Sequence, residues 1–202
     1  MLSPGGQASR DNFLLLATVF EGGLFGIAFL LGWILSIDPI AHWSLNTTAV
    51  AWGLIGTLPL YALFVFSYRA PGGGLKQIRQ LLLERLGPFL NACSAPDLIY
   101  LGLLAGVTEE VLFRGLLQPW FEGNWGWLGG LVFSNLVFAL AHWVTPLYGL
   151  LAGLTGAYLG WSLDVSGERN LVVPVLIHGV YDVLAFMAVA RSYRAYAAGR
   201  GL

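Results

Sequence analysis

Runs of about 20 predominantly apolar residues most limit what this chain can fold into. A helix of that length crosses a hydrocarbon core of roughly 30 Å while satisfying every backbone N–H and C=O internally. Such runs recur near residues 13–37, 49–68, 97–118, 125–145, 147–165 and 171–190. They predict an all-α, polytopic membrane bundle of about six transmembrane helices, forming a single integral membrane domain over residues 1–202. Composition agrees, since 57% of residues are hydrophobic and only 10% charged, against about 25% charged in a soluble domain. The first run has too long an apolar stretch, and no small-residue cleavage site, for a cleavable signal peptide, so it is expected to remain in the mature chain. A net charge of -1 gives no global pull toward nucleic acid, which is set aside as a partner.

Between the second and third runs, Leu75, Ile78, Leu82, Leu86 and Leu90 recur at helical spacing among Lys76, Arg79, Glu84 and Arg85. This pattern predicts one interfacial amphipathic helix over Leu75–Leu90, interrupted near its end by Pro88, with a basic soluble connector as the alternative. Arg10, Arg69, Lys76, Arg79, Arg85, Arg191, Arg194 and Arg200 fall on one side of the predicted spans and Arg169 on the other. The asymmetry places both termini in the cytoplasm of a multi-pass protein of the plasma (inner) membrane. Trp43, Trp52, Trp120, Trp125, Trp127 and Trp143 lie near span ends, where amphipathic rings settle at headgroup level. Gly149, Gly153, Gly156 and Gly160 mark the fifth run as packing material that lets backbones approach closely. Cys93, the single cysteine, has no partner for an internal disulfide, and the sequon at Asn46-Thr47-Thr48 is too short a pattern to carry weight.

Ionisable groups inside apolar runs cost at least about 2.5–3.5 kcal/mol each and therefore face a bundle interior or a watery cavity. Here Glu109, Glu110 and Arg114 lie in the third run, His142 in the fourth, and His178 and Asp182 in the sixth. Residues four apart share a helical face, whereas neighbours point about 100° apart. Glu110 is thus the natural partner of Arg114, whose charge it neutralises, and Glu109 is left free for chemistry. Phe138 and His142 share a face, with Asn135 a further turn back, and His178 shares a face with Asp182. Glu21, beside Gly22 and Gly23, stands apart from the cluster as a hydrogen-bonded structural carboxyl.

At these residues the sequence resembles the CAAX protease and bacteriocin-processing (CPBP, or Abi) family of intramembrane glutamic endopeptidases. The resemblance rests on Glu109-Glu110-Val111-Leu112-Phe113-Arg114 followed by Gly115, on Phe138 through His142, and on His178 through Asp182, a motif-bearing core of about residues 97–190. It implies a metal-free peptidase without cofactor, in which Glu109 and His142 activate water and His178 with Asp182 stabilises the oxyanion. Glu110, Arg114, Phe138 and Asn135, if Asn135 reaches His142, would support those groups. The third motif of the family often ends in Asn and here ends in Asp182. An ionised Asp cannot donate to an oxyanion, so Asp182 either orients and charges His178 or is itself protonated.

Independently of the resemblance, a carboxylate and an imidazole at low dielectric form a general base near neutral pH. Two further classes stay open on the residues alone. Glu with two His is also a zinc ligand set, although no His-Glu-x-x-His helix is present. A transporter, or a silent immunity protein of the same fold, would also place such groups at midplane depth. The resemblance implies a peptide or protein substrate, either prenylated or a bacteriocin-like precursor, with the lipid bilayer as the other partner.

Overall fold

The computed structural model describes residues 4–200, with side chains for 9–199. Residues 1–3 and 201–202 of the single domain expected over 1–202, and the side chain of Arg200, lie outside the described residues. Every described element is helical: α1 (Pro4–Leu35), α2 (Thr47–Tyr68), α3 (Gly73–Leu81), α4 (Gly87–Ala92), α5 (Ala95–Glu110), α6 (Gln118–Ala141), α7 (Pro146–Ser162) and α8 (Val172–Arg200), with π-helical turns at Leu82–Leu86 and Val111–Leu117. Local chemistry sets several of the starts. Asn46 Oδ1 accepts from the Ala49 N–H to cap α2, so the side chain of the sequon has a structural task. Ser94 and Asp97 form a capping box at α5, and the Thr145 hydroxyl accepts from the Tyr148 N–H at α7.

Among the described residues four helical runs, not six, are long and apolar enough to cross a membrane: Ser9–Leu35, Thr47–Tyr68, Ala95–Ala141 and Val172–Gly199. The runs expected at 97–118 and 125–145 merge, because α5 continues through the π-helical turn into α6 without a loop. The run expected at 147–165 becomes α7, whose 17 residues fall short of the usual crossing length. Apolar content reports depth but not the path of the backbone, so it cannot separate two spans from one bent helix.

The bend lies at Trp125 (φ -134°) and Gly126 (φ 71°, ψ 176°), a left-handed conformation that glycine adopts without steric cost. Beyond it α6 folds back along its own first part. A Cβ on Gly130 would collide with Glu122, and Trp125 stacks on Phe121 with ring centroids 5.4 Å apart. Arg169 clamps this end by ion pairs to Glu122 and Asp164, and the guanidinium holds the Asp164 carboxyl below its ordinary pKa.

The amphipathic segment also departs from expectation. It runs helically from Gly73 to Ala92, past the expected end at Leu90 and without a break at Pro88, because the turn at Leu82–Leu86 widens the hydrogen bonding and the Gly87 N–H donates to the Leu82 carbonyl. Leu82, Leu86 and Leu90 turn inward with Leu98, Leu101 and Val189, while Lys76 and Gln77 face outward.

Helix α8 is central, with α5 on one side and α2 on another. Glycines set the close approach: a Cβ on Gly106 would lie 2.6 Å from the Gly179 Cα, and one on Gly56 2.6 Å from the Ile177 side chain. Gly115, directly after Arg114, sits against the Pro39 carbonyl, where no side chain fits. Outward faces of α1 and α2 carry exposed Leu16, Val19, Trp33, Leu58 and Phe66, as a surface solvated by lipid tails requires.

Candidate active site

The three motifs meet inside the bundle. Glu109 and Glu110 close α5, the chain enters the π-helical turn, and Arg114 projects from that turn. His142 caps the end of α6, where the helix stops before Thr145 and Pro146. His178 and Asp182 lie one turn apart on α8. Glu109, His142, His178 and Asp182 line a cavity of about 360 Å³ whose walls are mainly apolar, while Glu110 and Arg114 are not among its lining residues.

Glu109 is 9% exposed, and its Oε2 lies 3.7 Å from His142 Nε2 with no hydrogen bond of its own. His142 Nδ1 sits 2.9 Å from the Phe138 carbonyl, which can only accept, so Nδ1 carries a proton. In the neutral ring the Nε2 lone pair then faces Glu109. Phe138 also stacks on the imidazole at 4.3 Å between centroids and fixes its plane.

Glu110 has two partners. Its Oε1 accepts from Arg114 at 2.9 Å, the pairing expected four residues along a helix, and lies 2.7 Å from His178 Nδ1. His178 Nε2 is 3.6 Å from Asp182 Oδ2, so the imidazole stands between two carboxyls, the nearer of them on α5. Arg114 is 1% exposed and further donates to Asn135 Oδ1 at 2.8 Å and to the Gly156 carbonyl at 2.7 Å. Its guanidinium lies 4.7 Å from the Phe138 ring centroid, a cation–π contact. One arginine thus ties α5, α6 and α7 together behind the cavity.

Two residues take places other than those expected. Asn135 hydrogen-bonds Arg114 and the Leu131 carbonyl, not His142. Glu21 does not stand apart: it accepts from the Thr108 hydroxyl, next to Glu109 in sequence, and lines the cavity. The Gly156 carbonyl carries no sequence signal, since any residue supplies one. The glycine itself is required because a Cβ there would collide with Asn135 and the Arg114 guanidinium. For a metal, the donors do not converge: among the described residues no three His, Cys, Asp or Glu side chains lie close enough to hold an ion.

Residues 91–184 match the family model described as type II CAAX prenyl endopeptidase Rce1-like. A protein of Bacillus subtilis (strain 168), named Uncharacterized protein YpbD, is 34% identical over 92 residues, covering 45% of this chain and 44% of that protein. The chain spans less than half the length of this relative. No solved structure matches. Fold and comparison together give a helical bundle in which four described helical runs are long and apolar enough to cross a membrane and in which residues 91–184 are similar to the Rce1-like family model. That stretch holds Glu109, Arg114, His142, His178 and Asp182, while α1, α2 and α3 lie outside it.

Proposed function

We propose that the chain is an intramembrane endopeptidase that hydrolyses a peptide bond with water activated by Glu109 and His142. The observation that carries it is the Glu109 carboxylate facing His142 Nε2 at 3.7 Å, buried and without a hydrogen bond, on the floor of an apolar cavity. Glu109 takes a proton from water and the oxygen adds to the substrate carbonyl. The imidazolium form of His178 donates from Nδ1 to Glu110 and offers Nε2–H to the oxyanion, where such a donor contributes about 2.7–4 kcal/mol. When the tetrahedral intermediate collapses, the proton on Glu109 passes to the leaving nitrogen, with His142 orienting the exchange. The products are a new carboxylate and a new amine. Asp182, 3.6 Å from His178 Nε2, supports the ring or, when protonated, donates beside it. Glu110, Arg114, Phe138 and Asn135 hold these groups in place. The substrate is a peptide or protein entering from the bilayer, prenylated or bacteriocin-like.

The test is cleavage of a fluorogenic peptide by purified protein in detergent, with and without a membrane-permeable chelator. Activity is expected to survive chelation. Loss of cleavage that added zinc restores would replace the glutamate mechanism by a zinc-dependent one.

The orientation that fits the basic residues has both termini and the segment 69–85 in the cytoplasm of the plasma (inner) membrane. A tag at Ser166, beside Arg169, should then react only from the opposite side. Labelling of that tag from the cytoplasm alone would reverse the assignment.

A further inference from the structure

Acceptors outnumber donors around the reacting centre. Glu21, Glu109 and Asp182 all line the cavity, and an ionised carboxylate can only accept a hydrogen bond. His142 Nδ1 is taken up by the Phe138 carbonyl. Toward an oxyanion His178 offers a single N–H, from Nε2, because its Nδ1 faces Glu110. An oxyanion has lone pairs for more than one donor, and donors in place before the reaction contribute most. Tyr148 of α7 lines the same cavity and carries an O–H.

Local chemistry holds Tyr148 close to His142. His142 caps α6, and after Trp143 and Val144 the Thr145 hydroxyl accepts from the Tyr148 N–H at 3.1 Å to start α7. A Cβ on the next residue, Gly149, would lie 2.6 Å from the Trp143 ring, so this turn is tightly packed. The phenol oxygen itself makes no hydrogen bond to any described residue. A largely enclosed tyrosine hydroxyl usually has a partner, and one left without it beside a cavity is available to a ligand. Burial first, then the carboxyls of Asp182 and Glu109, push this phenol up to about 12, from an ordinary value of about 10. It therefore keeps its proton at neutral pH, among groups that accept. The other lining phenols, Tyr68 and Tyr181, pack on the Phe64 ring of α2 with centroids 5.1 and 6.1 Å away.

We propose that Tyr148 is a further catalytic residue, whose O–H donates the second hydrogen bond, beside that from His178 Nε2, to the oxyanion formed at the substrate carbonyl. The proposal rests on hydrolysis at Glu109 as proposed above. As the water oxygen bonds to the carbonyl carbon, its proton passes to Glu109 and the C=O π pair moves onto the carbonyl oxygen. Tyr148 gives up no proton in this step. Its hydrogen bond strengthens as the oxygen gains charge, and relaxes when the pair returns and the C–N bond breaks. An interaction made mainly in the transition state appears in kcat rather than in KM.

The full chain in detergent would be assayed for cleavage of a fluorogenic peptide across a range of peptide concentrations, unaltered and as Tyr148→Phe, Tyr181→Phe and Glu109→Gln. Tyr148→Phe removes the O–H and keeps the ring. It is expected to lower kcat roughly 10²–10³-fold with KM nearly unchanged and the melting temperature unmoved, while Tyr181→Phe stays close to the unaltered protein. Unaltered kcat in Tyr148→Phe would overturn the proposal, as would a loss confined to KM or an equal loss in Tyr181→Phe. A peptide phosphinate, whose tetrahedral P–O⁻ stands in for the oxyanion, reads the same donor without hydrolysis. Tyr148→Phe should weaken phosphinate binding by a similar factor and leave binding of the matching amide peptide unchanged. Equal phosphinate affinity in both proteins would overturn the proposal. If Glu109→Gln cleaves like the unaltered protein but the phosphinate still binds more weakly to Tyr148→Phe, the hydrolytic reading fails and the donor stands. If Glu109→Gln is inactive while Tyr148→Phe cleaves normally, the donor fails alone.

Discussion

Glu109→Gln should lower peptide cleavage by roughly 10²–10⁴-fold, the range a positioned general base contributes, while the melting temperature in detergent stays close to that of the unaltered protein. The separation of rate from stability follows from the geometry. Glu109 Oε2 is buried but makes no hydrogen bond, so an amide of the same shape removes the base without orphaning a partner. His142→Ala and His178→Ala should also cost orders of magnitude in rate. Only His178→Ala should lower stability as well, because it removes the 2.7 Å contact to Glu110. Asp182→Asn should keep measurable activity, since an amide can stand beside His178 Nε2 and donate where an ionised Asp cannot. Single-turnover cleavage beside a melting curve for each variant makes the measurement. Full activity in Glu109→Gln, with Glu110→Gln inactive yet stably folded, would show that the two glutamates exchange roles.

The second large effect is on stability. Arg114→Met should destabilise the protein by about 3–5 kcal/mol, because it leaves the Glu110 carboxylate, 0% exposed, without its main counter-charge. It also strips acceptors on α6 and α7, the Asn135 side chain and the Gly156 carbonyl, of their donor. Glu110→Gln should lose stability by a similar amount and lose rate too, since the same oxygen holds His178. Combining Glu110→Gln with Arg114→Met should recover part of the stability, because no unpaired charge remains, but none of the rate, because His178 still lacks its carboxylate. A double-mutant cycle on melting curves, read with cleavage rates, tests this. A Glu110→Gln protein that melts and cleaves normally would rule out the bridging role.

The site was legible wherever its logic is local. Glu110 with Arg114 and His178 with Asp182 are pairs four residues apart on one helix, and that spacing alone puts each pair on a common face. The contacts that assemble the cavity are not local. Glu110 meets His178 across 68 positions, and Arg114 meets the Gly156 carbonyl across 42. No periodicity encodes either pairing. Arg79 read as one basic residue of an amphipathic surface helix, and only the folding of α3 against the end of α2 places it on the cavity.

What the amino-acid order determined by itself was the solvent, the helical class and the residues too polar for their depth. Each of these follows from transfer energies summed over a short window of chain. The path of the backbone was decided elsewhere. Whether residues 95–141 form separate spans or one folded-back helix depends on a π-helical turn at Val111–Leu117 and a left-handed glycine at Gly126. Both are stabilised by contacts with distant elements, including the Pro39 carbonyl against Gly115 and Arg169 against Glu122. Only the packed structure gives Glu110 its second partner and Arg114 its third helix. A buried charge takes whichever partners the fold brings within reach, and burial makes each of those choices worth several kcal/mol.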